Sequence, residues 1–383
     1  MKVSIVTSFP FPEGKATANR IRVFAEELIK SPKIECIEIF CSSNDPSCSY
    51  LVNDSLRVTC LKVNHIDKNK FVARAFHELL LAFRLFWKAR QSKFDIMIVT
   101  VPSVLLLVPL ILNIKKNLIA LDLRDAVWTY FDDGFLSRVV GKFIAIIFSF
   151  AARRSEIISV TNVAEYEQIK EITGRFPLLV ANGISQAKLE EMQSISRSPQ
   201  CDHIKLAYIG NVGIAQELNQ LIDFSKEIPD LEVKIIGDGA KLESLKLKCV
   251  SEDIKNVIFT GFVPPADIGK HMEPVDILFA QIGPDYRTAV PTKVFEYIAS
   301  GRKVLLGLPE GPAREIFSIF YGVEIFNVGS RVEFIKSYNK LVAFNLTIEN
   351  KKSNIDKLRD YYLREKNAKV LVDSITALDI DKN

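Results

Sequence analysis

The residues best suited to chemistry lie in Thr288–Gly301, Thr-Ala-Val-Pro-Thr-Lys-Val-Phe-Glu-Tyr-Ile-Ala-Ser-Gly. Pro291 followed by Thr292 predicts a helix start, because proline suits the first turn and threonine can cap it. Lys293 and Glu296 are three apart, so they share one face near the helix N-terminus. An ammonium there suits a diphosphate, and a carboxylate can accept paired hydrogen bonds from a ribose diol. The same spacing also fits a capped surface helix carrying an i,i+3 ion pair, and both readings stand at this point.

Three further junctions share this character. Tyr208–Gly213 (Tyr-Ile-Gly-Asn-Val-Gly) closes an apolar run with two glycines, Ile236–Gly239 (Ile-Gly-Asp-Gly) is a glycine turn, and Gly261–Pro265 (Gly-Phe-Val-Pro-Pro) is a third. Singly, each is a tight turn. Together with 288–301 they fall at successive strand-to-helix junctions, where open α/β sheets bind phosphorylated ligands, and so point to a nucleotide site.

The elements that must position these residues alternate along the whole chain. Strands are predicted at Lys2–Thr7, Glu35–Cys41, Leu56–Lys62, Phe94–Thr100, Leu118–Leu123, Glu156–Thr161 and Pro177–Ala181, with helices between them. A second series of strands runs from Lys205–Gly210 to Val323–Phe326. The pattern predicts an α/β protein with two doubly wound, Rossmann-like domains facing a cleft. The expected boundaries are 1–185, a polar linker 186–203, a second domain 204–350, and helices at 351–383 that pack back toward the first domain.

At 383 residues the chain can hold two self-sufficient cores, and 48% hydrophobic with 25% charged residues excludes a disordered or collagen-like chain. Six cysteines without a C-x-x-C pair, and only four histidines, argue against a structural zinc site and for reduced, mostly buried thiols. Neither a signal peptide nor a membrane-spanning helix is expected, since the longest nearly uncharged runs, Val99–Ile114 and Phe143–Ala152, are shorter than the ~20 residues a span needs. The net charge of +4 is uneven. Residues 1–185 hold 24 basic and 18 acidic side chains, residues 186–383 hold 26 and 28, and residues 57–116 alone hold 11 and 3. An anionic partner for the first half is the implied consequence.

The blocks at 208–213, 236–239, 256–261 and 291–304 together resemble the family 4 retaining glycosyltransferases, nearest the bacterial surface-polysaccharide branch that includes fucosamine transferases. Phe11–Leu28, Asp122–Trp128 and Val180–Ile184 have counterparts in that family as well, so the resemblance spans nearly the whole chain. It implies a GT-B fold, a UDP- or GDP-sugar donor in the second domain, an acceptor site in the first, and neither a metal nor another cofactor. The implied acceptor is a polyprenyl-diphosphate-linked glycan of O-antigen or capsule synthesis, reached at the inner face of the cytoplasmic membrane.

Position by position, Glu296 resembles the second Glu of the family's E-x7-E pair, which holds the donor ribose. Pro291, Thr292 and Lys293 lie where the diphosphate is approached. Gly210, Asn211 and Gly213 match the phosphate-facing loop, while Gly237, Asp238 and Gly239, with Phe262, lie near the base. Gly14 belongs to the N-terminal loop at the reaction centre, and Arg124 with Asp125 ends a strand facing the cleft, Asp125 as base or positioning group or simply as a cap. The pattern departs at Thr288, which replaces the first Glu, and at Asn211 and Gln216, where many relatives carry Arg and Lys. Lys293, helped by Arg287 or Arg20, would then have to meet the diphosphate charge. The rival readings are a GT-B epimerase or hydrolase, for which no acid/base pair stands out, and a degenerate nucleotide-binding scaffold, kept open by Thr288.

Lys68–Lys93 and Phe135–Arg154 read as helices with a narrow basic stripe and an apolar arc wider than one packing face needs. Core packing accounts for most of each arc, and contact with an anionic membrane surface is the other reading. Nucleic-acid binding is not expected, because no recognition motif accompanies the basic residues.

Overall fold

The computed structural model describes residues 1–378 apart from 13–15, 64–70, 102, 113–117, 125, 132–133, 197–202 and 229. It divides into two compact units, Met1–Asn182 with Arg364–Asn383, and Gly183–Leu363.

The first unit is built on eight strands: β1 (Lys2–Pro10), β2 (Cys36–Ser43), β3 (Cys48–Asn53), β4 (Leu56–Lys62), β5 (Ile96–Val101), β6 (Leu118–Leu123), β7 (Ile157–Val160) and β8 (Leu178–Leu179). Their order is β3-β4-β2-β1-β5-β6-β7-β8. All pairs are parallel except β3–β4, a hairpin edge that the periodicity does not predict. All six residues of β3 are exposed, so no apolar alternation marks it; it is a strand because β4 offers a free backbone edge. The inner strands are buried on both faces, hence their largely apolar sequences, Ile-Met-Ile-Val-Thr-Val and Leu-Ile-Ala-Leu-Asp-Leu. Val3, Ile5, Ile96 and Ile98 pack against helices Ala16–Ile29 and Arg364–Thr376. Val6, Met97 and Val99 face helices Phe71–Gln91, Leu107–Leu112, Phe135–Arg153 and Val163–Thr173.

The second unit is an all-parallel six-stranded sheet: β9 (Ile204–Ile209), β10 (Leu231–Ile236), β11 (Val257–Gly261), β12 (Ile277–Gln281), β13 (Lys303–Leu308) and β14 (Val323–Asn327), ordered β11-β10-β9-β12-β13-β14. The expected linker is not one throughout. Ser185 caps a helix, Gln186–Gln193, whose Leu189 and Met192 are buried in this unit. The C-terminal helices also divide. Ile348–Tyr361, started by a Thr347/Asn350 capping box, packs in the second unit, whereas Arg364–Thr376 completes the first. Of the described cysteines, Cys41, Cys60 and Cys249 are buried and Cys48 is exposed.

One charged cluster ties the first unit together. Arg20, 5% exposed, meets the fully buried Asp122 through Nε (3.0 Å) and Nη2 (2.7 Å), and its Nη1 donates to Val180 O (2.8 Å) and Asn182 Oδ1 (3.1 Å). Ser159 Oγ donates to the same carboxylate at 2.8 Å. The pair thus joins the first helix to β6, β7 and the end of β8. Removing one partner strands a buried charge, so Arg20→Met and Asp122→Leu should each lower unfolding free energy by about 3–5 kcal/mol, read by urea denaturation.

Candidate active site

Strand order reverses between β9 and β12 in the second unit, and ligands of open α/β sheets bind beyond the strand ends at such a point. The loops that follow these two strands are 210–217 and 282–292. They are joined by Gly283 N–H donating to Ala215 O at 2.7 Å.

Beside the switch point, backbone pairing continues past the strand ends. Gly210 N–H donates to Ile236 O (2.8 Å), Val212 N–H to Asp238 O (2.9 Å), and Gly237 N–H to Gly261 O (2.9 Å). This requires glycine. A Cβ on Gly237 would lie 1.8 Å from Gly210 O, one on Gly239 would lie 2.5 Å from Val212 O, and both residues have positive φ (143° and 157°). Asp238 is exposed and its carboxylate accepts from Gly239 N–H at 2.6 Å, while Phe262 beyond β11 is 72% exposed.

Helix Lys293–Ala299 approaches the end of β9 from the other side. Lys293 and Glu296 are its only residues that are not buried, as their three-residue spacing predicts. Lys293 is exposed as a residue, but its Nζ donates to Ile209 O at 3.1 Å. A Cβ added to Gly210 would lie 3.1 Å from that Nζ, so the ammonium sits directly against the glycine loop. Desolvation there lowers the lysine pKa, and neighbouring Glu296 opposes the shift. Thr292 occupies the position before this helix, yet its side chain makes no capping hydrogen bond; its backbone is already helical (φ −61°, ψ −23°), which turns the hydroxyl away from the cap geometry. Pro291 O instead accepts from Val294 N–H at 3.1 Å. Arg287 is exposed on the loop after β12, and Thr288 beside it is buried.

Three contributors escape sequence inspection. Tyr297 reads as one more core aromatic, but its hydroxyl donates to Ile209 O (2.8 Å) and accepts from Ile209 N–H (3.1 Å), pinning the last residue of β9. Tyr208 Oη donates to Asn211 O at 2.7 Å and shapes the glycine loop from beneath. Burial raises the pKa of both phenols, so they act as neutral donors. Glu217 holds a left-handed backbone (φ 44°) at the start of the helix after β9, a conformation uncommon outside glycine, asparagine and aspartate. Burial first, and Asp285 second, push its carboxyl pKa up, against a 2.6 Å hydrogen bond from Gln220.

The first-unit expectations fare differently. Arg20 is not placed to meet a diphosphate, because it is buried and each of its three guanidinium nitrogens serves the cluster around Asp122; the helical periodicity that places it inward could not reveal the partner 102 residues away. Arg124 follows β6 and its Nη1 donates to Thr17 Oγ1 on the first helix. Gly14 and Asp125 lie outside the described residues.

No protein-family model and no curated protein sequence matches the chain. Solved structures do. Sucrose-phosphate synthase from Thermosynechococcus elongatus superposes with a TM-score of 0.76 at 13% identity over 97% of each chain. The lipopolysaccharide outer core galactosyltransferase WaaB gives 0.64 at 16% identity, covering 98% of this chain and 99% of that one. Anabaena HepE, in complex with UDP and glucose, gives 0.69 at 13%, covering 99% and 100%. The protein therefore has the GT-B fold of these glycosyltransferases.

The glycine zipper makes a direct prediction. Gly237→Ala should cost more than ~2 kcal/mol of stability, read by thermal unfolding, because backbone rather than a pliable side chain stands in the way. Gly269→Ala, whose Cβ would find its nearest neighbour at 3.6 Å, should be neutral or slightly stabilising.

Proposed function

We propose that the protein is a retaining glycosyltransferase that moves a sugar from a UDP- or GDP-sugar to a lipid-linked glycan during bacterial surface-polysaccharide synthesis at the cytoplasmic face of the membrane. The observation that carries this reading is the Lys293 ammonium held against the Gly210 loop at the switch point of the second sheet. A diphosphate laid there meets a fixed cation and a backbone cleared of side chains. Support also comes from the fold, shared with a lipopolysaccharide galactosyltransferase and with a protein solved with UDP and glucose.

In this reading Lys293 and Arg287 face the diphosphate, with Gly210, Asn211 and Gly213 supplying the loop beneath it and Pro291 and Thr292 flanking. Glu296 accepts from the ribose hydroxyls. Gly237, Asp238, Gly239 and Phe262 border the base. Arg124 and Asp125 stand on the acceptor unit, Asp125 as the proton acceptor. The bond from the anomeric carbon to the diphosphate breaks as a bond from the acceptor oxygen forms, and the hydroxyl proton passes to a base. Negative charge gathers on the leaving diphosphate, where the positioned ammonium is worth most.

Incubation with a panel of UDP- and GDP-sugars and a lipid-linked acceptor extract should give a donor-dependent glycolipid. Free isomerised sugar nucleotide, or binding without turnover, would overturn the proposal. Glu296→Ala should raise the donor KM by roughly tenfold or more, through loss of hydrogen bonds to a charged group.

Lys293 sets a pH dependence. A bound diphosphate favours the protonated ammonium, whereas burial in the free protein disfavours it. Nucleotide affinity is therefore full below the lowered lysine pKa and declines as pH rises through it, beginning below the ordinary value of about 10.4. Calorimetric titration of nucleoside diphosphate across this range checks it. Lys293→Met should lose about 1.5–3 kcal/mol of affinity at neutral pH and abolish that alkaline decline.

A further inference from the structure

Two helices of the first unit bury only one of their two apolar faces. In Phe71–Gln91, Leu81, Ala82, Leu85, Phe86 and Ala89 enter the core, whereas Phe76, Leu80, Phe83 and Trp87 form a stripe on the opposite side, with Trp87 67% exposed. In Phe135–Arg153, Phe148, Ala151 and Ala152 face the core, and Phe135, Val139, Phe143, Ile146 and Phe150 form the outer stripe, with Phe143 63% exposed. The buried residues of both helices join one cluster on the same sheet face, so the two outer stripes look out from the same side of the unit. Helix Leu107–Leu112 packs between them and exposes Leu112 there.

Among the described residues, the charges carried by these two helices are basic with one exception. Arg84, Lys88 and Arg90 on the first helix, and Arg138, Lys142, Arg153 and Arg154 on or just after the second, are all exposed. Glu78 is the single acidic residue of the two helices. A wide aromatic ridge flanked by cations is complementary to an anionic lipid surface. A second copy of the same face would set these cations against each other, which opposes self-association. No helix among the described residues is long and apolar enough to cross a membrane, so such contact would lie in the interfacial plane.

We infer that the outer faces of helices Phe71–Gln91 and Phe135–Arg153 form one surface that docks on an anionic bilayer, with Phe76, Phe83, Trp87, Phe143, Ile146 and Phe150 entering the interface. The inference stands on exposure and charge in the first unit and does not depend on sugar transfer.

Co-sedimentation of the full chain with phosphatidylcholine vesicles, with and without phosphatidylglycerol, tests it. Binding should require the anionic lipid and weaken with salt. Trp87→Ser and Phe143→Ser should each reduce partitioning roughly tenfold, and Lys88→Gln and Lys142→Gln about fivefold each, at unchanged melting temperature. Val250→Ser and Ile348→Ser, exposed apolar positions on the second unit, should change nothing. With Trp128→Phe removing the only other tryptophan, Trp87 emission should shift to the blue on adding anionic vesicles. Absent binding, binding indifferent to lipid charge or to the ridge variants, or a blue shift that follows protein concentration without lipid would overturn the inference, the last by revealing a dimer face.

Discussion

Everything proposed for the second unit depends on one constraint, the continuation of parallel backbone pairing beyond the ends of β9 and β10. Strand-to-helix loops ordinarily splay apart once the ladder ends. Here Gly210, Val212 and Gly237 donate onward to Ile236, Asp238 and Gly261, and the loops stay as close as strands. Such proximity leaves no volume for a Cβ at 237 or 239, while one at 210 would press on the Tyr208 hydroxyl and the Lys293 ammonium. The result is a bare, rigid backbone surface at the edge of the sheet, and rigidity of this kind is what lets a modest number of donors act together on a charged ligand. Tyr297 and Lys293 then fasten the end of β9 from the neighbouring helix.

The two units use charge in opposite ways. Arg20 and Asp122 are removed from water almost altogether, and their attraction together with three further hydrogen-bond partners must offset a large desolvation cost. A pair so enclosed holds elements in register and is lost to ligand chemistry. Lys293 is only partly withdrawn: desolvation has weakened its preference for the charged state without supplying a full counter-charge, which leaves it responsive to an incoming anion. The outer helices of the first unit keep their cations exposed and place them around exposed aromatics, an arrangement unfavourable in water alone.

Much of this was legible from residue order. Unbroken apolar runs alternating with helical patterns require parallel sheets buried on both faces, and glycine turns mark the strand ends where the loops run close together. The three-residue spacing of Lys293 and Glu296 suffices to place both on one side of their helix. Other features were illegible for identifiable reasons. Strand β3 buries none of its residues, so periodicity has nothing to register. Helix Gln186–Gln193 is mostly polar and rests on two buried residues, which makes it look like a linker. Thr292 has the right type for a cap but not the extended backbone that would aim it.

Residue order alone carries the fold class and the position of the glycine-lined sheet edge, because both follow from local period and from where side chains are missing. Tertiary structure alone decided what each charged or aromatic residue does. Arg20 looked available until Asp122 arrived from a distant strand, and Tyr297 looked like filler until Ile209 came within reach. The apolar arcs of the outer helices looked like core until the sheet proved to cover only one side of them. Pattern along a chain records which residues prefer to be buried or paired, but partner and burial are settled only when segments far apart in sequence share the same space.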